Sequence, residues 1–185
     1  MASETLRPVP FWFLRHGETD WNARNLSQGN VDIALNEVGL AQAREAAPKL
    51  RNRGITTILA SPLSRAHVTA KIVAEVLELP VALDEELREV SFGAKEGHPM
   101  ADWFQTWVDG DFTPEGAESF PDLRARAVRA INRCLANPAP VLIVAHGALF
   151  RALRAEMGLE PNIRTPNAVP YLCEPGTPWT LTAGL

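Results

Sequence analysis

A three-layer α/β fold, with a mostly parallel central sheet flanked by helices, is what this sequence predicts. Three observations lead there. Short apolar runs alternate along the chain with stretches whose apolar residues recur at helical spacing. The run Val141-Leu142-Ile143-Val144-Ala145 is apolar without interruption, the pattern of a strand covered on both faces in a parallel sheet. Two of the runs, Phe11–Leu14 and Val141–Ala145, lead into a histidine followed by glycine, and open α/β sheets gather ligands beyond the carboxyl ends of their strands.

Phe11–Leu14 reads as the first buried strand, followed by Arg15-His16-Gly17 and a polar loop to Leu35 without clear periodicity. Asn36 offers a helix cap, with Leu40, Ala43, Ala47 and Leu50 on one face. Pro48 should kink or shorten that helix, and Gly54 is its expected stop. Thr56–Ala60 is a short β-prone run. Ser61-Pro62 then reads as a cap with proline at the first helical position, opening a helix through Leu63, Ala66, Ala70, Val73 and Leu77 to Pro80. A brief strand is expected near Val81–Leu83, and Leu87–Phe92 is extended chain or turn.

Gly93–Phe120 is loop-rich, with a short helix around Met100–Val108 whose Trp103, Phe104 and Trp107 pack locally. Ser119-Phe120-Pro121-Asp122 reads as a capping box before a long helix striped by Leu123, Ala127, Ile131 and Cys134. A further helix after His146-Gly147 runs to Gly158. Val169–Cys173 and Trp179–Thr182 form a terminal hairpin around Glu174-Pro175-Gly176-Thr177.

With 185 residues, one domain over 1–185 is expected, without repeat or linker. An apolar share of 46% and a charged share of 22% are those of a globular chain. A net charge of −4 argues against a nucleic-acid surface but leaves room for a local arginine cluster around an anionic small molecule. The two cysteines make no disulfide framework, and no run approaches a membrane span or a signal peptide. The expectation is therefore a cytoplasmic protein with no membrane or nucleic-acid partner; a homodimer stays open.

If the strands are parallel, Arg15, His16, Arg65 and His146 converge on one sheet edge. Planar guanidinium forks match a phosphomonoester dianion, and helix starts add N–H donors. An imidazole attacks only through an unprotonated nitrogen, and neighbouring Arg15 and Arg65 disfavour its cationic form. A leaving alkoxide needs a proton. Glu89, just after a strand and among apolar neighbours such as Phe92, is the candidate acid; the alternative is a surface glutamate continuing Asp84-Glu85-Glu86.

These residues resemble the histidine phosphatase superfamily, the phosphoglycerate-mutase-like enzymes. Four ordered blocks carry the resemblance over roughly residues 11 to 150. The first is Arg15-His16-Gly17-Glu18-Thr19 with Trp21-Asn22, Gln28-Gly29, Asp32, Leu35-Asn36, Gly39 and Gln42-Ala43. Ser61-Pro62-Leu63-Ser64-Arg65-Ala66 with Thr69-Ala70 is the second. Leu87-Arg88-Glu89 with Phe92-Gly93 and Glu96-Gly97 is the third, and Val144-Ala145-His146-Gly147 the fourth.

The resemblance implies a phosphoglycerate-mutase-like fold, with His16 as the phosphorylated nucleophile, Arg15, Arg65 and His146 holding the phosphoryl group, and Glu89 as the acid that later activates water. It also implies that Asn22, Gln28 and Gly29 lie against phosphate or water, and that the backbone at Ala148 lends an N–H. No metal and no cofactor is implied, and none of the metal-binding spacings is present.

Mutases of the superfamily resemble one another in a longer insertion and a Glu-Arg-Arg-Tyr-like acid loop. This chain has Arg88-Glu89-Val90-Ser91-Phe92-Gly93 and a compact segment between Glu89 and His146. The implied activity is therefore a histidine acid-type phosphatase acting on a small phosphorylated metabolite. A phosphoglycerate mutase-type phosphotransferase and a catalytically silent phosphate-binding domain are the alternatives. Arg24, Lys95 and Arg151 stand as candidates for an anionic leaving group or as solvated charges. Trp103, Trp107 and Phe112 are candidates for shaping the pocket mouth, while His67 and His98 read as surface residues.

Overall fold

In the computed structural model, residues 3–184 are described; Met1, Ala2 and Leu185 of the expected domain lie outside them. The first strand, β1 (Phe11–Arg15), sends alternate side chains to opposite faces. Phe11 and Phe13 enter one apolar core, Trp12 and Leu14 the other. The uninterrupted run β4 (Val141–Ala145) divides in the same way, with Ile143 on the first side and Leu142 and Val144 on the second. That double coverage makes three layers.

Strands β2 (Thr57–Ala60), β3 (Val81–Leu83), β5 (Pro170–Glu174) and β6 (Thr180–Ala183) complete a six-stranded sheet of order β3-β2-β4-β1-β5-β6. The first four in that order are parallel, with Ile58 opposite Leu142 and Phe13 opposite Ile143. The terminal hairpin adds β5 and β6 antiparallel at the far side of β1. β4 therefore lies between two parallel neighbours, the central position its sequence requires.

Helices α2 (Glu37–Leu50) and α3 (Ser64–Leu77) cover one face through Ala46, Ala47, Leu50, Ala70 and Val73. The other face is covered by α4 (Asp102–Val108), α5 (Phe120–Cys134) and α6 (Gly147–Glu156), with Phe150 stacked on Phe13 at 4.2 Å between ring centroids. Trp107 is fully buried, edge-on to Phe92 and Phe120, and its indole N–H donates to the Glu118 carbonyl at 3.0 Å. Cys134 is a core residue, its thiol pushed up to about 12 chiefly by burial.

Several local expectations are corrected. The Gly17–Leu35 segment contains one short helix, α1 (Asp20–Ala23), closed by a reciprocal capping box between Thr19 and Asn22. Pro48 falls in the last turn of α2, which ends at Leu50 rather than running to Gly54. The helix after β2 starts at Ser64, not at Pro62: Ser64 N–H is capped from afar by Asp32 Oδ1 at 2.7 Å, which releases Ser61 for another contact. At α5, Ser119 accepts from the Asp122 N–H at 3.2 Å, one half of the expected box.

Loop and helix meet at one unusually close crossing. A Cβ on Gly17 would lie 2.4 Å from the Gly39 carbonyl oxygen, and a Cβ on Gly39 would lie 2.1 Å from that of Glu18. Only hydrogen fits at either position, and this contact seats the start of α2 directly under the first strand's end.

Candidate active site

His16 follows β1 directly, its backbone N–H held by the Ala145 carbonyl at 3.1 Å, and His146 precedes α6. Neighbouring parallel strands thus deliver two imidazoles to one place, with ring centroids 5.3 Å apart. The His16 Nδ1 lies 2.6 Å from the Gly17 carbonyl. A carbonyl only accepts, so the ring proton sits on Nδ1 and the lone pair on Nε2 is free. On His146 it is Nε2 that meets the Ser61 hydroxyl, at 2.7 Å, while Nδ1 is buried without a partner among the described residues. Burial, then the charges of Arg65 and Arg15, hold His16 well below its ordinary value of 6.5. Burial and Arg65 do the same to His146, followed by His16 and Arg15. Both shifts favour the neutral imidazole.

Arg15 comes from the end of β1 and Arg65 from the first turn of α3. Arg15 Nη1 donates to the Thr165 carbonyl at 2.6 Å; Arg65 Nη1 and Nη2 donate to the carbonyls of Val31 and Gly29, each at 2.7 Å. Backbone oxygens from two loops therefore fix both guanidinium planes, yet the two buried Nε–H groups have no acceptor among the described residues. Burial lowers each guanidinium to about 10, opposed in both by the Glu89 carboxylate, so each remains charged at neutral pH. Thr69 links the two segments: its hydroxyl accepts from the Gly17 N–H at 3.1 Å and donates to the Arg65 carbonyl at 2.7 Å.

Glu89 is buried and not a surface residue. Its Oε2 accepts from the Ala148 N–H at 2.9 Å, and its Oε1 accepts from Leu149 and Val90 at 3.0 and 3.1 Å. The carboxylate thus occupies the start of α6, where N–H groups have no intrahelical partner. The segment carrying it is tied down by Arg126 of α5, which donates through Nη1 to the carbonyls of Glu86 and Arg88 at 2.7 and 2.8 Å and forks onto Glu118.

All nine residues expected at the site line or adjoin one cleft of about 600 Å³, counted to its open mouth. Asn22 Oδ1 is engaged by the Thr19 N–H and by Asn167 at 3.1 and 3.3 Å. The Gln28 carbonyl oxygen accepts from the Thr19 hydroxyl at 2.6 Å, leaving its amide NH2 as the end available to an anion. Gly29 adopts φ +54° and has its carbonyl on Arg65; a Cβ there would meet Glu96 Oε1 at 2.2 Å. Of the outer candidates, Arg151 lines the cleft, whereas Arg24, Lys95, Trp103, Trp107, Phe112, His67 and His98 do not.

Sequence reasoning missed four contributors. Ser61 read as a cap and instead holds His146; Arg126 lies in a helix without any motif to single it out. Arg164 and Asn167 come from the proline-rich tail, which carries no motif. Asn167 Nδ2 donates to the His16 carbonyl at 3.0 Å. Among the described residues no cluster of three His, Cys, Asp or Glu side chains could hold a metal ion, and no helix is long and apolar enough to cross a membrane.

With this geometry in hand, comparison with known proteins is specific. The family profile described as the histidine phosphatase superfamily (branch 1) matches residues 11–168. The uncharacterized phosphatase PhoE of Bacillus subtilis is 36% identical over 158 residues, which is 84% of this chain and 81% of that protein. The probable phosphoglycerate mutase GpmB of Yersinia pestis is 39% identical over 161 residues, 80% of this chain and 74% of that one. Among solved structures, mycobacterial glucosyl-3-phosphoglycerate phosphatase superposes with a TM-score of 0.82 at 28% identity, covering 95% of this chain and 97% of its own.

Proposed function

Because the chain belongs to the histidine phosphatase superfamily, we propose that it is a metal-independent phosphomonoester hydrolase that works through a phosphohistidine on a small phosphorylated metabolite. The observation that carries the reading is the pinned tautomer of His16: Nδ1–H is held by Gly17, and the free Nε2 lies beside Arg15, Arg65 and His146.

In the first half-reaction Nε2 of His16 attacks phosphorus, the P–O ester bond breaks, and its electron pair leaves on the alkoxide oxygen. Glu89 donates the proton that turns the alkoxide into an alcohol. The proton it gives up is the one it regains from water in the second half-reaction. The Nε–H groups of Arg15 and Arg65, the Nδ1 side of His146 and the Gln28 amide are the groups available to the equatorial oxygens, where charge must be neutralised. In the second half-reaction water attacks phosphorus, Glu89 takes its proton, the P–N bond breaks and inorganic phosphate leaves. The guanidiniums of Arg15 and Arg65 match the two charges of a phosphate dianion, which is why the reading calls on no metal ion.

The resemblance to GpmB favours a second reading, in which the phosphoryl group is returned to a bound phosphoglycerate instead of to water. Acid-quench trapping from a labelled phosphomonoester, in the presence of chelator, tests both. Label held by wild type, absent from His16→Ala, and released as inorganic phosphate supports the hydrolase. Label returned to phosphoglycerate supports the mutase. Turnover unchanged in His16→Ala overturns both.

A further inference from the structure

The cleft holds more positive charge than a phosphoryl group uses. Beyond Arg15 and Arg65, two further arginines line it: Arg151 from α6 and Arg164 from the tail. Among the described residues Glu89 is the one carboxylate in the lining, with Asp32 and Glu96 close enough to act on Arg65 from outside it. A phosphate dianion, bound while Glu89 carries the proton it donates, offsets two of the four guanidinium charges that line the cleft.

Arg151 is built in place. Its guanidinium lies over the face of Phe104, with Cζ 4.7 Å from the ring centroid, and its Nε–H is buried without an acceptor among the described residues. Neither Arg151 nor Arg164 has a carboxylate within ion-pair distance among the described residues, although Arg124, Arg126, Arg129 and Arg133 all do. The charge of Arg164 bears on both Arg151 and Arg15, which places the three cations in one field directed at the phosphoryl site. Like charges left facing one another around an aqueous cleft are costly, and a second anion on the substrate removes that cost.

We propose that Arg151, seated on Phe104, and Arg164 form a subsite for a carboxylate carried by the leaving alcohol, so that the substrate is the phosphate ester of a hydroxy acid. A carboxylate offsets part of the remaining charge and fits a planar guanidinium fork. The inference rests on the hydrolase reading and adds to it which end of the substrate is recognised, and by what.

The test compares matched esters that differ in the carboxylate: 3-phosphoglycerate against glycerol 1-phosphate, and O-phosphoserine against O-phosphoethanolamine. Wild type is expected to prefer the carboxylated member of each pair in kcat/KM by roughly 10- to 100-fold, the range of a charge-assisted hydrogen bond. Arg151→Ala and the exposed Arg164→Ala should each collapse that ratio toward one, mainly through KM for the carboxylated ester. Because Arg164 is exposed, its variant keeps the test open even if Arg151→Ala folds poorly. Equal kcat/KM for both members in wild type, or equal slowing of both in the variants, overturns the subsite while leaving the hydrolase intact. Failure of wild type to release phosphate from any of the four esters, with no label trapped on His16, overturns the hydrolase reading and the subsite with it.

Discussion

Glu89→Gln is the perturbation whose consequences the structure constrains most tightly. The carboxylate has two acceptor oxygens, one serving Ala148 and the other serving Leu149 and Val90. A glutamine has one, so its NH2 must face at least one buried backbone N–H that has lost its acceptor, at about 1–3 kcal/mol for the unsatisfied donor. In the empty protein that loss, taken as about 2 kcal/mol, lowers Tm by roughly 4–8 °C for a chain of this size. Inorganic phosphate or vanadate should restore more stability to the variant than to wild type, because the anion no longer competes with a carboxylate for the Ala148 N–H. Catalysis should separate by leaving group. The phosphorylation step, followed by rapid quench, should slow by about 10²–10⁴ for an alkyl ester, which needs its proton. p-Nitrophenyl phosphate, whose phenolate leaves unaided, should retain a burst and then stall at dephosphorylation. Equal slowing of both bursts would refute Glu89 as the acid. A Tm unchanged by the substitution would refute the hydrogen-bond reasoning.

Other perturbations follow from the same geometry. His16 and His146 are held below 6.5 when folded and titrate near that value when unfolded, so the unfolded chain binds more protons as pH falls. Stability is accordingly intact above 6.5 and is lost below it, by up to about 1.4 kcal/mol per histidine per pH unit until the folded values are reached; urea midpoints from pH 7.5 to 5, flattened in His16→Ala, check this. Arg126→Ala frees the segment that aims Glu89 and should lower kcat by roughly 10- to 100-fold with little change in KM. Arg126→Lys should not rescue it, since lysine cannot fork onto Glu118 while reaching two carbonyls. Gly39→Ala places a methyl 2.1 Å from the Glu18 carbonyl oxygen; a loss of about 3 kcal/mol in chemical denaturation is expected, and wild-type stability would show that the crossing relaxes freely.

Legibility in the sequence tracked the range of the forces involved. Val141–Ala145 announces its central place because burial on both faces demands an unbroken apolar run, and Asn36 announces a helix start because its cap is local. The start of α3 was misplaced because its cap comes from Asp32, a partner distant in sequence. Residues of the site were visible where chemistry demands a particular side chain at a strand end, as at His16 and His146. The carbonyls that fix Arg65, the Ser61 hydroxyl on His146 and the Arg126 tie leave no local pattern, since each exists only once separate elements have packed. Glu89 was the intermediate case: its identity as the candidate acid was readable, but its seat on the first turn of α6 was not.

The placement of β4 between β2 and β1 has a kinetic side. β1 is made early in the chain and finds its one parallel partner only near the end of it, so Phe13 and Ile143 must meet across most of the sequence. Closing such large loops is entropically unfavourable and slow, and folds dominated by distant pairings acquire their order late. The two imidazoles sit at the ends of those two strands. Recovery of activity during refolding therefore clocks this long-range pairing, and a chain halted before that step can carry formed helices while remaining wholly inactive.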